Sequence, residues 1–391
     1  MVTVQKNKSN NLLINMSKQK IVIVGGGTAG WMTAAYLSKK TDWDITLIQS
    51  QDIPIIGVGE STLPSLYDFV QECGLTEEDL FEHATAVRKY TIRHLDWNKN
   101  GDWYHHFCFN ETQHNEQLRW MINYERPSDK WRHAYHIDAF KFGALLRDKV
   151  AIPNGVKVEH RTIESIDNIQ SDLIIDCTGF NKLTKPSNWI DSVLPNNRAV
   201  VCPSNEVINK PYTQTTALSS GWMWTIALKT RTSNAYVFSD KHITDEKAKQ
   251  EFIERCPYTL DLDKLRYLSW KGGYTTTPWR GNVLNIGLSA GFFEPLESQA
   301  IWATQYQIEM LVRLGLDKQT VYNKQWVTMM KHIERYLLAH YTASSRRDND
   351  YWKQFDNILM VTPSNEKFKI FDEYSYRCLA KGYALPYTLE H

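Results

Sequence analysis

The sequence lacks the features that mark several broad classes of protein. No block of like charge appears among its 391 residues, and 45 basic residues nearly balance 44 acidic ones. This balance argues against a chain specialised for nucleic acid or for an anionic membrane. No apolar run approaches the roughly 18 residues of a membrane span, and residues 1–20 lack the apolar segment of a signal peptide. We therefore expect a flexible N-terminal extension over residues 1–20 on a cytoplasmic protein with no nucleic-acid or membrane partner.

The cysteines are few and scattered, and none of them forms a CxxC pair. They are Cys73, Cys108, Cys177, Cys202, Cys256 and Cys378. Without a secretory signal this pattern is typical of reduced, mostly buried thiols. The adjacent histidines His105 and His106 have no matching set of further ligands in the sequence, so we expect no metal site.

The folded part of the chain opens with a strand, a glycine-rich loop and a helix. Residues 21–24 form an apolar, β-branched run that is typical of a buried parallel strand. The run ends in Gly25-Gly26-Gly27-Thr28-Ala29-Gly30, a helical pattern follows over residues 31–40, and residues 44–48 predict a second strand. A G-x-G-x-x-G motif in this context predicts a dinucleotide-binding βαβ unit.

Each glycine of this motif has a physical role. Gly25, Gly27 and Gly30 permit a tight turn, close approach of a pyrophosphate, and close packing of helix on strand. The N-terminus of the helix then offers backbone N–H groups to phosphate. The second strand ends in Gln49-Ser50 rather than in the usual acidic residue, so we expect Gln49 to accept the ribose hydroxyl hydrogen bond.

The remaining periodicity predicts an α/β protein whose last third is helical. We expect helices over residues 64–74 and 134–150, and strands over residues 156–160 and 173–176. Residues 222–228 alternate as in a strand, and two further helices follow residue 291. No repeat or low-complexity linker divides the chain, so we expect one continuous body over residues 21–300 and a helical region over residues 301–391.

Several motifs together resemble those of the flavin-dependent, tryptophan-type halogenases. The matches run from about residue 21 to about residue 352 and end in Ser345-Arg346-Arg347-Asp348 and Tyr351-Trp352. They include the first glycine loop with Trp31, Gly57-Val58-Gly59-Glu60-Ser61-Thr62-Leu63-Pro64, Ala134-Tyr135-His136-Ile137-Asp138-Ala139, Asp176-Cys177-Thr178-Gly179-Phe180, Gly221-Trp222-Met223-Trp224-Thr225-Ile226 and Gly287-Leu288-Ser289-Ala290-Gly291-Phe292-Phe293-Glu294-Pro295-Leu296-Glu297-Ser298. On local chemistry alone, the second glycine loop is equally an ordinary loop and helix cap.

The resemblance implies a Rossmann-like, FAD-binding body of the flavin-monooxygenase type with a helical C-terminal region on the substrate side. It implies that reduced FAD, molecular oxygen and a halide ion give hypohalous acid, which chlorinates or brominates a small, electron-rich aromatic substrate. Because the sequence has no second nucleotide motif, NAD(P)H chemistry is left to a separate flavin reductase. Besides the glycines and Gln49, the implied FAD contacts are Thr28, Ala29, Ser50, Ile53, Val58, Ser61, Leu288 and Ile301.

The resemblance also implies two catalytic residues. Lys89 precedes Asp96-Trp97 as the family lysine precedes its Asn/Asp-Trp pair, whereas on its own it would be read as a surface lysine. Glu297 matches the family's active-site glutamate. By local chemistry alone, Glu297 and Ser298 would start a helix, with Ser298 as its cap. We expect the opposite charges of Lys89 and Glu297 to favour each other's ionised form.

Halide and substrate contacts follow from the same resemblance. The backbone N–H groups of Gln299 and Ala300 would bind halide, although the family usually has Thr-Gly at these two positions. His105 and Phe107 resemble the pair that flanks the substrate, with Ser298 nearby.

Trp222 and Trp224 would separate the flavin from the substrate, whereas their spacing alone is equally typical of core aromatics. Two alternatives to a halogenase remain: a single-component FAD-dependent aromatic hydroxylase and a non-catalytic flavin-binding protein. The sequence does not fix the oligomeric state, and a homo-oligomer is compatible with it.

Overall fold

A computed structural model describes most of the chain. The described residues are 18–53, 59–99, 101–107, 112–113, 115–116, 119, 131–356, 358 and 370–383. The expected FAD contact Val58 and most of the expected N-terminal extension lie outside them. Among the described residues, no helix combines the length and the apolar character that a membrane span requires.

The strands and helices alternate through the first half of the chain, and helices dominate its end. In chain order the strands are β1 (Lys20–Val24), β2 (Asp44–Gln49), β3 (Gly59–Ser61), β4 (Val87–Lys89), β5 (Thr91–Leu95), β6 (Trp103–His106), β7 (Ala134–Asp138), β8 (Lys157–His160), β9 (Leu173–Asp176), β10 (Trp189–Asp191), β11 (Arg198–Ser204), β12 (Tyr212–Leu218), β13 (Gly221–Ala227), β14 (Thr232–Phe238), β15 (Arg266–Ser269), β16 (Gly273–Thr275), β17 (Trp279–Arg280), β18 (Val283–Asn285) and β19 (Gly291–Phe292). The helices are α1 (Thr28–Lys40), α2 (Leu66–Glu72), α3 (Glu77–His83), α4 (Ala139–Leu146), α5 (Asp245–Arg255), α6 (Gln299–Leu314), α7 (Gln319–Ala343), α8 (Asp350–Lys353) and α9 (Glu373–Gly382).

The first sheet is a Rossmann-like sheet of six strands. Its order is β17-β18-β9-β1-β2-β8, and all neighbours are parallel except β17 and β18. Ile21 and Ile23 of β1 are fully buried in the same core as the apolar residues of α1. The predicted β1-α1-β2 unit is therefore confirmed. The chain runs from β1 to β2 and later to β8 on one side of the sheet, and then crosses to β9 on the other side of β1. The strand order therefore reverses between β1 and β9, and their carboxyl ends form the crevice where such sheets bind ligands.

The second large sheet has seven strands, in the order β15-β11-β14-β13-β12-β5-β6. It is antiparallel except where β12 pairs with β5. All residues of β13 are buried, and the predicted alternation is confirmed: Trp222, Trp224 and Ile226 face a cavity, whereas Met223 packs in a cluster with Phe252 of α5. This sheet therefore has one face toward the cavity and one toward its own core.

The prediction of a helix over residues 134–150 is wrong in its first five residues. Residues 134–138 form β7, which pairs with β3 on one side and with β4 on the other. The helix begins only at Ala139, where the carboxylate of Asp138 accepts a hydrogen bond from the backbone N–H of Lys141. Pairing with two strands distant in sequence decides the conformation of β7, and the local pattern did not reveal it.

The helices of the last third are confirmed, and they reach back to the strands. In α6, Ile308 and Leu311 are fully buried, as are Trp326 and Ile333 in α7. Helix α9 packs against β6, and a Cβ atom at Gly382 would lie 2.3 Å from the ring of Trp103. The boundary expected at residue 300 stays a prediction. The helices that follow it share one hydrophobic core with the Rossmann-like sheet.

Candidate active site

A cavity of about 600 Å³ opens at the carboxyl ends of the parallel strands. It extends from the glycine loop to Trp222 and Trp224 and ends at Glu297 and Ser298. Most of the expected FAD contacts line it: Gly25, Gly27, Thr28, Ala29, Gln49, Ser50, Ile53, Ser61, Leu288 and Ile301. The sequence therefore predicted one contiguous surface from positions that lie as far as 276 residues apart, from Gly25 to Ile301.

The residues around this cavity fit a dinucleotide. A Cβ atom at Gly27 would meet no protein atom within 4 Å, so this glycine leaves room for a ligand beside the loop. Helix α1 begins directly after Gly27, its first turn holds no acidic residue, and no described side chain caps it. Its first N–H groups are therefore ready to bind phosphate. Gly30 has a different role, since its Cβ would lie 1.8 Å from the carbonyl oxygen of Gly25.

Lys89, at the end of β4, is buried rather than solvated. Its Nζ donates hydrogen bonds to Ser61 Oγ at 2.7 Å, to Ser298 Oγ at 3.0 Å and to the carbonyl oxygen of Thr62 at 3.1 Å. The ring centroid of Phe107 lies 4.9 Å from the same nitrogen. Ser61 and Ser298 both line the cavity, so these two hydroxyl groups connect the cavity to the lysine.

The expected mutual stabilisation of Lys89 and Glu297 is only partly present. Burial lowers the pKa of Lys89 to about 7, and the nearby charge of Glu297 raises it by less than burial lowers it. Desolvation outweighs the ion pair because the two side chains make no direct contact; Ser298 Oγ accepts the hydrogen bond from Lys89 instead. Near neutral pH the lysine therefore exists as a mixture of ammonium and amine.

A chain of hydrogen bonds fixes the acceptor that faces Lys89. Nδ1 of His136 lies 3.0 Å from the carbonyl oxygen of Ala227, which only accepts, so Nδ1 carries the proton. Nε2 of His136 then accepts a hydrogen bond from Thr213 Oγ1 at 2.8 Å. Thr213 Oγ1 then accepts from Ser61 Oγ at 2.7 Å. Burial and the charge of Lys89 lower the pKa of His136 to about 3, so this histidine is neutral. Ser61 is thereby left to accept from Lys89.

Three histidines surround the carboxylate of Glu297. Oε1 lies 3.1 Å from Nε2 of His94 and 2.9 Å from Nε2 of His340, and Oε2 lies 2.6 Å from Nδ1 of His105. The carboxylate is fully buried. Burial raises the pKa of Glu297, but the charge and hydrogen bond of His105 and the hydrogen bonds of His340 and His94 lower it well below its usual range. Glu297 is therefore a carboxylate.

Ser298 precedes α6 at its N-cap position, but its side chain caps no backbone N–H group. Both Glu297 and Ser298 have left-handed backbone angles, with φ of 66° and 61°, a conformation that costs non-glycine residues of order 1 kcal/mol each. In this conformation the Ser298 hydroxyl turns away from α6, donates to Ser61 Oγ and accepts from Lys89. The strain therefore directs the Glu297 and Ser298 side chains to the histidines and to Lys89.

The two residues expected at the halide site start α6. Ala300 lines the cavity, whereas the side chain of Gln299 turns back and donates to the carbonyl oxygen of Glu294 at 2.6 Å. The first turn of α6 holds no acidic residue, and no described side chain caps it. Left-handed residues followed by a helical N-terminus give converging N–H groups, which is a geometry that binds anions.

Trp222 is held in place by a buried carboxyl group that the sequence did not single out as a site residue. Trp222 Nε1 donates to Glu294 Oε1 at 3.1 Å, and Asn196 and Tyr341 donate to the same carboxyl group. Burial raises the pKa of Glu294 to about 7. Since the rings of Trp222 and Trp224 have centroids 6.2 Å apart and both line the cavity, they form an ordered wall rather than a loose aromatic surface.

His94 and His340 were also missed. The available signals were the alternation of β5, which puts His94 on the same face as Ile92, and the apolar stripe of α7 that His340 interrupts. Among the described residues, His94, Glu297 and His340 bring one possible metal-ligand atom each within 4.8 Å of the others. Their separations of 2.9 and 3.1 Å match direct hydrogen bonds, and the absence of a metal stays a prediction.

Comparisons with known proteins agree on one family. Residues 20–125 and 109–381 match the family model described as tryptophan halogenase. The chain is 28% identical over 436 residues to the tryptophan 7-halogenase RebH of Lentzea aerocolonigenes, with 90% of this chain and 81% of RebH covered. It is 30% identical over 430 residues to the 7-chloro-L-tryptophan 6-halogenase KtzR of Kutzneria sp. (strain 744), with 85% and 81% covered.

Solved structures give the same result. The chain is similar to BrvH, a flavin-dependent halogenase from Brevundimonas sp. BAL3, with a TM-score of 0.80, 27% identity, and 94% of this chain and 90% of that chain covered. It is similar to Xcc4156, a flavin-dependent halogenase from Xanthomonas campestris, with a TM-score of 0.85, 25% identity, and 94% and 89% covered.

Proposed function

Since this chain belongs to the tryptophan halogenase family and is a flavin-dependent halogenase, we propose that it transfers halogen through Lys89 to an electron-rich aromatic ring such as an indole or a phenol. The observation that carries this proposal is the position of Lys89. It is buried beyond the cavity, yet Ser61 and Ser298 connect its amino group to the cavity wall.

The cavity would hold FAD. Gly25, Gly27 and the N-terminus of α1 would bind the pyrophosphate, and Gln49 would bind the ribose. Leu288 and Ile301 would contact the flavin ring. Reduced FAD, with oxygen and a halide ion, supplies hypohalous acid, and electrons reach the flavin from a separate NAD(P)H-dependent reductase.

The halide ion would bind at the start of α6. The start of α6 has no side-chain cap, Ala300 lines the cavity, and the left-handed turn at Ser298 precedes it, so the backbone N–H groups of Gln299 and Ala300 would be available to an anion there. Trp222 and Trp224 would keep the aromatic substrate away from the flavin, and hypohalous acid would reach Lys89 past Ser61 and Ser298.

Lys89 would receive the hypohalous acid. With a pKa of about 7, the group supplies both an ammonium that donates a hydrogen bond to hypohalous acid and an amine that can form a haloamine. Either form places the halogen next to Phe107, whose ring centroid is 4.9 Å from Nζ. Glu297 would be the final acceptor of the proton that the ring loses, and His105 and Phe107 would contact the substrate.

One reconstitution tests the function. The purified protein is supplied with FAD, an unrelated flavin reductase with NADH, oxygen, chloride or bromide, and a panel of indoles, anilines and phenols, and products are read by mass spectrometry. We expect a halogenated product only when every component is present. Lys89→Met serves as the control that binds FAD but gives no halogenated ring.

The same experiment decides between the alternatives. Oxidation of NADPH by the protein without a reductase, together with hydroxylated products, would contradict the proposal in favour of a single-component hydroxylase. FAD binding with no halide-dependent product from any substrate of the panel would contradict the proposal in favour of a non-catalytic flavin-binding protein.

A further inference from the structure

We propose that His105 is the base that removes the ring proton, that Glu297 fixes its tautomer and receives the relayed proton, and that His94 and His340 are positioning residues that keep Glu297 ionised. This inference rests on the proposed function and deepens it. It begins from the burial of the Glu297 carboxylate, which is fully enclosed, whereas His105 retains a small exposed fraction. A substrate beside Phe107 would meet His105 before it could reach Glu297.

The contact between His105 and Glu297 determines the tautomer of His105. Nδ1 lies 2.6 Å from Oε2, and an ionised carboxylate can only accept, so Nδ1 carries the proton. The lone pair of a neutral His105 is then on Nε2, the ring nitrogen directed away from Glu297. This is the arrangement in which a carboxylate orients an imidazole as a general base.

His340 donates a hydrogen bond that helps to keep Glu297 ionised. Its Nε2 lies 2.9 Å from Oε1 of the carboxylate, which only accepts, so Nε2 carries a proton. Its Nδ1 lies 3.0 Å from the carbonyl oxygen of Tyr336, one turn earlier in α7. His340 therefore holds the carboxylate of Glu297 from α7.

His94 contributes a neutral hydrogen bond. Its Nδ1 can accept from the hydroxyl of Thr215 at 2.9 Å, which leaves the Nε2 proton for Oε1 of Glu297. Burial lowers the pKa of His94 to about 4 despite its hydrogen bond to Glu297. Three histidine side chains thus contact one carboxylate, and only His105 has its other ring nitrogen available to a substrate beside Phe107.

The surroundings of His105 suit a flat substrate. Its ring centroid lies 6.1 Å from that of Phe107, 5.9 Å from that of Tyr336 and 6.5 Å from that of Phe371. The hydroxyl of Tyr336 is 3.4 Å from Nδ1 and donates to the carbonyl oxygen of Ser375 at 3.3 Å. These groups hold the imidazole in its plane without taking the place of Glu297 as its partner.

The proposed step conserves atoms and electrons. A ring carbon forms a bond to halogen as the O–X bond of hypohalous acid, or the N–X bond of the haloamine, breaks. The ring C–H bond then breaks, its electron pair restores aromaticity, and the proton passes to Nε2 of His105 while the Nδ1 proton moves to Oε2 of Glu297. In the hypohalous acid route, the hydroxide that leaves takes a proton from the ammonium of Lys89 and becomes water. In the haloamine route, water has already left when the N–X bond formed, and the Lys89 nitrogen keeps the electron pair of the broken N–X bond. In both routes the proton held by Glu297 then restores Lys89.

His105→Asn tests the base directly, because the asparagine amide can still donate to Glu297 from the position of Nδ1 but has no group in place of Nε2. The matched control is His106→Asn, on the opposite face of β6. Hypohalous acid is measured by consumption of a trapping agent without aromatic substrate, and ring halogenation is measured with indole and ring-deuterated indole in the presence of bromide.

We expect His105→Asn to lower indole halogenation roughly 100-fold or more, the scale of a positioned proton-transfer group, while trap consumption stays at the wild-type level. A deuterium isotope effect absent from the wild-type enzyme should appear in the variant, because loss of the ring proton becomes slow. Wild-type halogenation by His105→Asn without an isotope effect would overturn the proposal. A wild-type enzyme that never consumes the trap would refute the proposed function instead.

His340→Leu tests the positioning role, because leucine removes the hydrogen-bond donor to Glu297, and His340→Gln is the conservative variant that keeps a donor. The titratable groups that face Glu297 are His94 from β5, His105 from β6, Lys89 from β4, Tyr336 and His340 from α7, and Tyr383 after α9. Removing the hydrogen bond of His340 should raise the pKa of Glu297 and move the acid limb of halogenation to higher pH, with trap consumption unchanged, and His340→Gln should restore the limb. An unmoved limb, or one zinc ion bound per chain by His94, Glu297 and His340, would overturn this assignment.

Discussion

Replacing Lys89 by methionine should stabilise the protein near neutral pH while it abolishes ring halogenation. The side chain of Lys89 is fully buried, and burial lowers its pKa from 10.5 to about 7. In the unfolded chain the same amino group keeps its ordinary pKa. The folded protein therefore binds this proton less tightly than the unfolded chain does, and the ammonium form opposes folding.

The sign and size of the effect follow from proton linkage. Between pH 7 and 10.5 the unfolded state holds more of the Lys89 proton than the folded state, so the free energy of unfolding of the wild type rises with pH. The slope is about 1.4 kcal/mol for each pH unit, which gives a total of about 4 to 5 kcal/mol. Methionine removes this cost but leaves the Thr62 carbonyl without its lysine donor, which costs about 1 to 3 kcal/mol.

At pH 6 the variant should therefore be more stable than the wild type by about 2 to 4 kcal/mol, and the order should reverse at pH ~8 to 10. The assay is equilibrium unfolding in urea without FAD, followed by tryptophan fluorescence at pH 6, 7, 8 and 9. Taking the difference between variant and wild type at each pH cancels the titration of all other groups. Lys149→Met, at an exposed lysine that pairs with Asp79, is the control whose difference should not vary with pH.

A difference between Lys89→Met and the wild type that stays constant from pH 6 to 9 would refute the reasoning. It would mean that the amino group of Lys89 is as well solvated in the folded protein as in the unfolded chain. Intact FAD binding by the variant, measured by flavin fluorescence, separates this effect from loss of the cofactor site.

Three further predictions follow from the site. Glu297→Gln should lower ring halogenation roughly 100-fold or more at unchanged FAD binding. A single-turnover yield of product within twofold of the wild type would show that Glu297 has only a structural role before α6. Gly27→Ala should fold normally but bind FAD more weakly, as measured by FAD titration. Gly30→Ala should lower the midpoint of urea unfolding, because a Cβ atom at Gly30, unlike one at Gly27, meets the backbone of Gly25. Small indoles, anilines and phenols should be halogenated faster than free tryptophan, and a hundredfold preference for tryptophan in kcat/KM would contradict this.

Local sequence patterns correctly predicted the elements whose conformation does not depend on pairing with distant strands. The glycine loop, α1 and the first two parallel strands depend on hydrophobic period and on glycine geometry, and they were correct. β7 was taken for part of a helix because its apolar residues run directly into α4, and only its pairing with β3 and β4 makes it a strand.

The chemistry of the site could be predicted only where a motif carried it. Lys89 and Glu297 were found through the family resemblance, whereas His94 and His340 have no motif and reach Glu297 through sheet register and helix rotation. The side-chain contacts of Ser298 could not be predicted for a similar reason. A serine before a helix is normally its cap, and the left-handed backbone that directs its hydroxyl to Lys89 cannot be read from residue type.

The contacts around Lys89 and Glu297 join distant parts of the chain, and this sets the order in which the site can be assembled. Lys89 and Ser298 are 209 positions apart, and His94 and Glu297 are 203 positions apart. Contacts of such separation form late, after most of the loop entropy has been lost. During synthesis the glycine loop and its strands therefore emerge long before the groups that would receive hypohalous acid can meet, and the complete set of contacts cannot exist until His340 has joined the fold.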